Sequence, residues 1–235
     1  MKIHPTEISM AACARMTGAL YLIIIVFGLF SEIFVRSTMI IYGDADATAN
    51  NILASEWLFR AGFAGDLIIF LCDVAVAILL YVLLLPVSKT LSLLSAGFRL
   101  VGTAMYGVNL LNYFNALLIL KGSAYLSSFD PGQIHSMALM FLNIHKHGYD
   151  LGLVFFGLHC LLLGYLLFKA DYFPRILGVL MVLAGMGYVV GSFTLFLWPE
   201  YTSTVAPVYL APLIGELSLG LWLLIKGVGN QKIPS

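Results

Sequence analysis

Charge is scarce in this chain. Lys, Arg, Asp and Glu make up 10 % of its 235 residues, and the two signs cancel at 12 each. A neutral chain offers no electrostatic footprint for nucleic acid, so no nucleic-acid partner is expected. Cysteine is rarer still: Cys13, Cys72 and Cys160 lie among apolar residues without CxxC spacing. An odd number of scattered thiols fits neither a disulfide framework nor a zinc site. No nucleophile elbow, Walker loop, HExxH pair or Rossmann glycine pattern occurs, and the serines inside apolar runs stand in no motif that marks a nucleophile. The first apolar run leads into Glu32 and Arg36 without a small-residue cleavage site, which argues against a secretory signal.

What is abundant is apolar surface: 61 % of the residues, with a mean hydropathy of +0.98. A soluble domain is about half apolar and about a quarter charged, so the excess here needs lipid as its solvent. A spanning helix takes roughly 20 mostly apolar residues. Six stretches qualify: 16–35, 66–85, 91–120, 149–168, 174–197 and 205–225. Backbone groups in lipid must be satisfied within their own segment, which makes these stretches helices and not sheet. The expected fold class is all-α: a polytopic membrane protein whose single domain, residues 1–235, is a six-transmembrane-helix bundle.

Lys2, Arg15, Lys89, Lys169, Arg175, Lys226 and Lys232 fall on one side of these spans. Arg36, Arg60, Lys121 and Lys146 fall on the other, spread over two long connections. The positive-inside rule then puts both termini in the cytoplasm, with the chain in the inner or plasma membrane. Each long outer connection contains an amphipathic, interfacial segment. In the first, Asp46 or Thr48 is positioned to cap a helix over Ala49–Arg60. In the second, Ser128 or Asp130 caps a helix that starts at Pro131, carries Gln133 in its first turn and stops at Gly148.

Polar residues inside the spans are the candidate site. Arg99, His159 and Glu216 each lie about eight to ten residues from the cytoplasmic ends, roughly 12–15 Å deep and near the midplane. Asp73 sits somewhat further out, and Asp66, seven residues before it on the same stripe, lies near the outer surface. Arg99 and Tyr106 share a stripe of the third span with Asn109 beside them. Asp66, Asp73, Arg99, Tyr106, Asn109, His159 and Glu216 thus form a candidate ligand- or ion-binding seam that starts at the midplane and opens outward. At matched depth, Arg99 and Glu216 are the expected ion pair. Asp73, His159 and Glu216 are candidate metal ligands, since imidazole and carboxylates suit zinc or iron; the favoured alternative is a neutral His159 hydrogen-bonded to a tyrosine or carbonyl. No other cofactor is expected: haem would want a second histidine at His159's depth, and His145 and His147 lie at the outer boundary. Gly187 and Gly191 form a GxxxG, whose usual meaning is tight packing within the bundle and whose alternative is a face for a second copy of the chain; the lipid bilayer is the other expected partner.

Several stretches together resemble an uncharacterised bacterial membrane-protein family, domain of unknown function 4386. They are Ala14-Arg15 through Gly18-Ala19-Leu20-Tyr21-Leu22, the run GDADATANNILASEWLFR from Gly43 to Arg60, and Tyr149–Tyr165 with its GLVFFGLHCLLLGYL core. Phe173–Leu180 and Ala184–Tyr188 match as well. Ala170-Asp171-Tyr172 stands where the family typically has a Ser-Gly-like pair. The resemblance implies a multi-pass inner-membrane protein of about this size and carries over no catalytic residue.

The leading functional reading is a non-enzymatic membrane protein whose seam binds or senses a small ligand, ion or proton, or is purely structural. The alternatives are a small-solute or ion transporter and an intramembrane metal-dependent enzyme. Against transport, the first three spans do not repeat in the last three, as they do in many carriers.

Overall fold

The computed structural model describes residues 9–122 and 127–228. Among them the chain is all-α, with seven helices, six of which are long and apolar enough to cross a membrane. The helices are α1 (Met10–Met39), α2 (Ala45–Ala54), α3 (Glu56–Leu84), α4 (Lys89–Leu120), α5 (Pro131–Lys169), α6 (Arg175–Leu197) and α7 (Pro199–Ile225). Large side chains such as Leu71 and Val108 are 66 % and 71 % exposed, which only an apolar solvent tolerates along a whole helix. The chain is a multi-pass membrane protein. Lys2 and Lys232, which enter the orientation argument, lie outside the described residues.

Local chemistry sets several helix ends. Asp130 and Gln133 cap each other at the start of α5: the Asp130 N–H donates to the Gln133 side chain at 3.1 Å, and the Gln133 N–H donates to the Asp130 carboxylate at 3.0 Å. Asp44, and not Asp46 or Thr48, caps α2, accepting from the Ala47 N–H at 2.9 Å. Thr48 is instead tied to both backbone groups of Ile41. The helix expected over Ala49–Arg60 is broken at Ser55, so α3 begins at Glu56, about ten residues before its apolar run. Its charged first turn is neutralised there, with Glu56 pairing Arg60 at 2.8 Å and Lys121 at 2.9 Å.

Gly148 does not end a helix. α5 runs through it for 39 residues. A side chain at Gly148 would collide with the Asn109 carboxamide, whose Nδ2 donates to the His145 carbonyl at 2.7 Å. The glycine serves close approach, not termination.

Two compact units divide the described residues. The first comprises 9–22, 72–100 and 153–228; the second comprises 23–71, 101–122 and 127–152. In the first, α5 and α6 cross on glycine: a Cβ on Gly164 would lie 2.7 Å from the Gly178 carbonyl oxygen, and a Cβ on Gly178 equally near that of Gly164. Gly187 and Gly191 face Val208, Pro212 and Tyr209 of α7 in the same way, so this GxxxG serves packing within the chain. Backbone cannot yield as a flexible side chain can. Gly164→Leu should therefore cost about 1–3 kcal/mol from overpacking. Reversible unfolding in mixed micelles measures it, and a loss below about 0.5 kcal/mol would contradict the crossing.

In the second unit, α1 passes through a π-helical stretch, Phe30–Arg36, where the Ser37 N–H reaches back to the Glu32 carbonyl. Such wide turns are rare and recur at functional positions. This one ends on Arg36.

Candidate polar site

Arg99 is the centre of the first unit's polar cluster and is wholly buried. Its Nε donates to Asp73 Oδ1 at 3.0 Å, and its Nη2 donates to the same oxygen. Its Nη1 donates to the Tyr21 hydroxyl at 2.8 Å and to His159 Nε2 at 3.0 Å. Four of its five N–H groups thus meet acceptors of the cluster. The rings of Tyr21 and Phe156 lie 5.0 and 4.8 Å from the guanidinium carbon, close enough for cation–π attraction. A charge at this depth needs such a shell, because lipid supplies none.

That shell fixes the His159 tautomer. A guanidinium only donates, so Nε2 must accept and the ring proton sits on Nδ1. Nδ1 lies 3.0 Å from the Ser95 carbonyl, its acceptor, and 2.9 Å from the Ser95 hydroxyl. Ser95 and Arg99 are four residues apart on α4 and present one face to His159.

The expected Arg99–Glu216 ion pair is not the one formed; Asp73 takes the guanidinium. Asp73 lies eleven residues before the end of α3, and Arg99 ten after the start of α4. Across this short hairpin the two reach the same level. Glu216 instead accepts a 2.5 Å hydrogen bond from the Tyr188 hydroxyl.

The candidate metal set of Asp73, His159 and Glu216 does not fit a metal. The Nε2 lone pair that a metal would need faces a guanidinium, and the Asp73 carboxylate is held by that same cation. Among the described residues, no three His, Cys, Asp or Glu side chains come together as a ligand set.

The remaining candidates, Asp66, Tyr106 and Asn109, belong to the second unit. Asp66, 2 % exposed, pairs with Arg36 Nη1 at 2.7 Å, while Arg36 Nε donates to Glu32 at 2.8 Å. Tyr106 stacks between Phe70 and Tyr149, with centroids 5.6 and 4.6 Å away. Asn109 ties α4 to α5 through the His145 carbonyl. Here the Arg36–Asp66 pair ties α1 to α3, and the Asn109 bond ties α4 to α5.

Sequence reasoning missed Tyr21, Ser95, Tyr188 and Arg36. Ser95 was recoverable as the polar residue one helical turn before Arg99. Tyr21 and Tyr188 were not, since an aromatic in an apolar run reads as lipid-facing or core.

The family model described as "Domain of unknown function (DUF4386)" matches residues 16–227. The chain is also similar to a protein of Archaeoglobus fulgidus described as "Uncharacterized protein". The two are 31 % identical over 171 residues, which cover 73 % of this chain and 86 % of the relative. No solved structure matches.

Proposed function

The chain belongs to DUF4386, a domain of unknown function, and on that footing we propose that it is a non-enzymatic membrane protein in which Glu216 takes up and releases a proton. The observation that carries this is a charge balance. Arg99 is matched by Asp73 in direct contact, so Glu216 is the cluster's unmatched charge, 7 % exposed on a lipid-spanning helix. Facing it are Tyr188 of α6, Arg99 of α4, Asp73 of α3, Tyr21 of α1 and Cys160 of α5. A buried carboxylate that is not matched by a cation is relieved by taking one up. A proton needs a single oxygen, whereas a hard metal cation needs about six.

Infrared difference spectroscopy of reconstituted protein across a pH titration tests this. The wild type should show the C=O stretch of a protonated carboxyl in apolar surroundings, downshifted in D2O. Glu216→Gln should lose that band while keeping a monodisperse elution profile. Identical difference spectra for the two proteins would end the reading.

A carrier driven by this proton is the second reading. It is favoured by the start of α7, where 3₁₀ turns at Pro199–Tyr201 and Ala206–Tyr209 flank a single α-turn before regular helix begins at Leu210. Broken spanning helices commonly border transport sites. Proton-gradient-dependent uptake of a solute into proteoliposomes, lost in Glu216→Gln, is its expected signature. Both readings place the chain in the cell membrane with its termini in the cytoplasm, the arrangement its Lys and Arg distribution favours.

A further inference from the structure

We infer that Glu216 reaches water through a hydrated file along the α6 face that carries Tyr188 and Ser192, entered at the broken start of α7. This rests on the reading of Glu216 as the proton site and adds the path by which the proton arrives.

The inference stands on two buried hydroxyls. Ser192 is 0 % exposed, and its Oγ has no hydrogen-bond partner among the described residues. Helical serines and threonines in apolar surroundings usually return their hydroxyl to the carbonyl one turn back. Thr17 does so to Cys13 and Thr194 to Val190, each at 2.8 Å. Ser192, two residues before Thr194 on the same helix, does not. A buried hydroxyl left without a partner costs about 1–3 kcal/mol, and the ordinary remedy inside a protein is water. Thr202 Oγ1, in the irregular start of α7, is a second such hydroxyl.

Both stand on elements that pack together: α6 lies against the Thr202–Val205 and Ala206–Tyr209 turns. Ser192 lies one turn beyond Tyr188 on α6, so the two share a face. Tyr188 donates to Glu216 at 2.5 Å. On its other side, the Tyr188 ring stands edge-on to that of Tyr209, with centroids 6.3 Å apart. The phenol end of Tyr209 occupies the position that a side chain at Gly191 would take, next to Ser192. Tyr201 and Glu200, which precede Thr202 in the chain, are exposed. For Glu216 to release a proton, the Tyr188 hydroxyl turns from donating to Glu216 to accepting its proton and passes its own proton to water beside Ser192; the charge leaves as hydronium past Tyr209 and Thr202.

Substituted-cysteine accessibility tests the file. In a background without Cys13, Cys72 and Cys160, Ser192→Cys and Thr202→Cys are compared with the lipid-facing controls Val190→Cys and Phe193→Cys, at positions 48 % and 45 % exposed. The probe is a positively charged, membrane-impermeant methanethiosulfonate applied to proteoliposomes on the side of the Glu200 connection. It reacts with thiolate, which forms only where water reaches the sulfur. The expected result is modification of Ser192→Cys and Thr202→Cys at least about tenfold faster than the controls. Ser192→Cys reacting no faster than Val190→Cys, in protein that elutes like the wild type, overturns the file. Should Ser192→Cys not fold, Thr202→Cys decides alone by the same comparison. The Glu216 reading fails separately, on the infrared band: fast modification of Ser192→Cys with no Glu216-dependent band would leave the water file standing without the proton site.

Discussion

Asp73→Ala should destabilise the protein by about 3–5 kcal/mol, the range found when one partner of a buried ion pair is removed. The loss comes less from the missing attraction than from what remains. Arg99 would stay fully buried, with its Nε and an Nη2 proton facing an emptied space in place of Asp73 Oδ1. Tyr21 and His159 each accept one bond and carry no charge that could replace the carboxylate. Arg99→Met alone should also be costly, since it strands Asp73 at 3 % exposure. The double variant, Asp73→Ala with Arg99→Met, removes both charges and should recover much of the loss, giving a coupling of about 2 kcal/mol or more in a double-mutant cycle. Reversible unfolding in mixed micelles supplies the three differences. Asp73→Ala within about 1 kcal/mol of the wild type would show that water reaches Arg99, and the description of a sealed cluster would fail.

Arg36→Ala should be comparably damaging, about 3–5 kcal/mol, although by sequence it is an ordinary basic residue in an outer connection. Its two carboxylate partners make the test sharp. Asp66 is 2 % exposed and would be left with no cation at 2.7 Å. The side chain of Glu32 is 66 % exposed and loses only a solvated contact. Glu32→Ala should therefore cost no more than about 1 kcal/mol, as exposed pairs do. Equal losses for the two variants would mean that the π-helical stretch, and not the Arg36–Asp66 pair, carries the stability of this end of α1. Asp66→Asn separates the effects further, because it removes the stranded charge while keeping the shape. Combined with Arg36→Ala it should restore part of the loss.

Features governed by lipid thickness or by a few neighbouring residues were open to sequence reading. The six spanning helices follow from apolar run length, because the bilayer sets a minimum that local sequence alone must meet. The start of α5 follows from Asp130-Pro131-Gly132-Gln133, because a capping box closes within one turn. The ionisable members of the first unit's cluster, Asp73, Arg99, His159 and Glu216, were also legible, since any ionisable group in a span is conspicuous there.

What tertiary structure alone decided is who meets whom. Asp73, and not Glu216, pairs with Arg99, because the α3–α4 hairpin brings those two to one level and span ends read from hydropathy misjudged it by a few residues. Gly148 looks like a helix stop until Asn109 is seen to occupy the space of its missing side chain. The spacing of Gly187 and Gly191 suits packing within the bundle and a face for another chain alike; Val208, Pro212 and Tyr209 are what lie against it. Arg36 reads as solvated because π-helical continuation of α1 and the Asp66 carboxylate are both invisible in composition. Hydropathy records each residue's own preference for lipid or water, whereas partner choice depends on helix rotation and crossing, which arise only when distant segments pack.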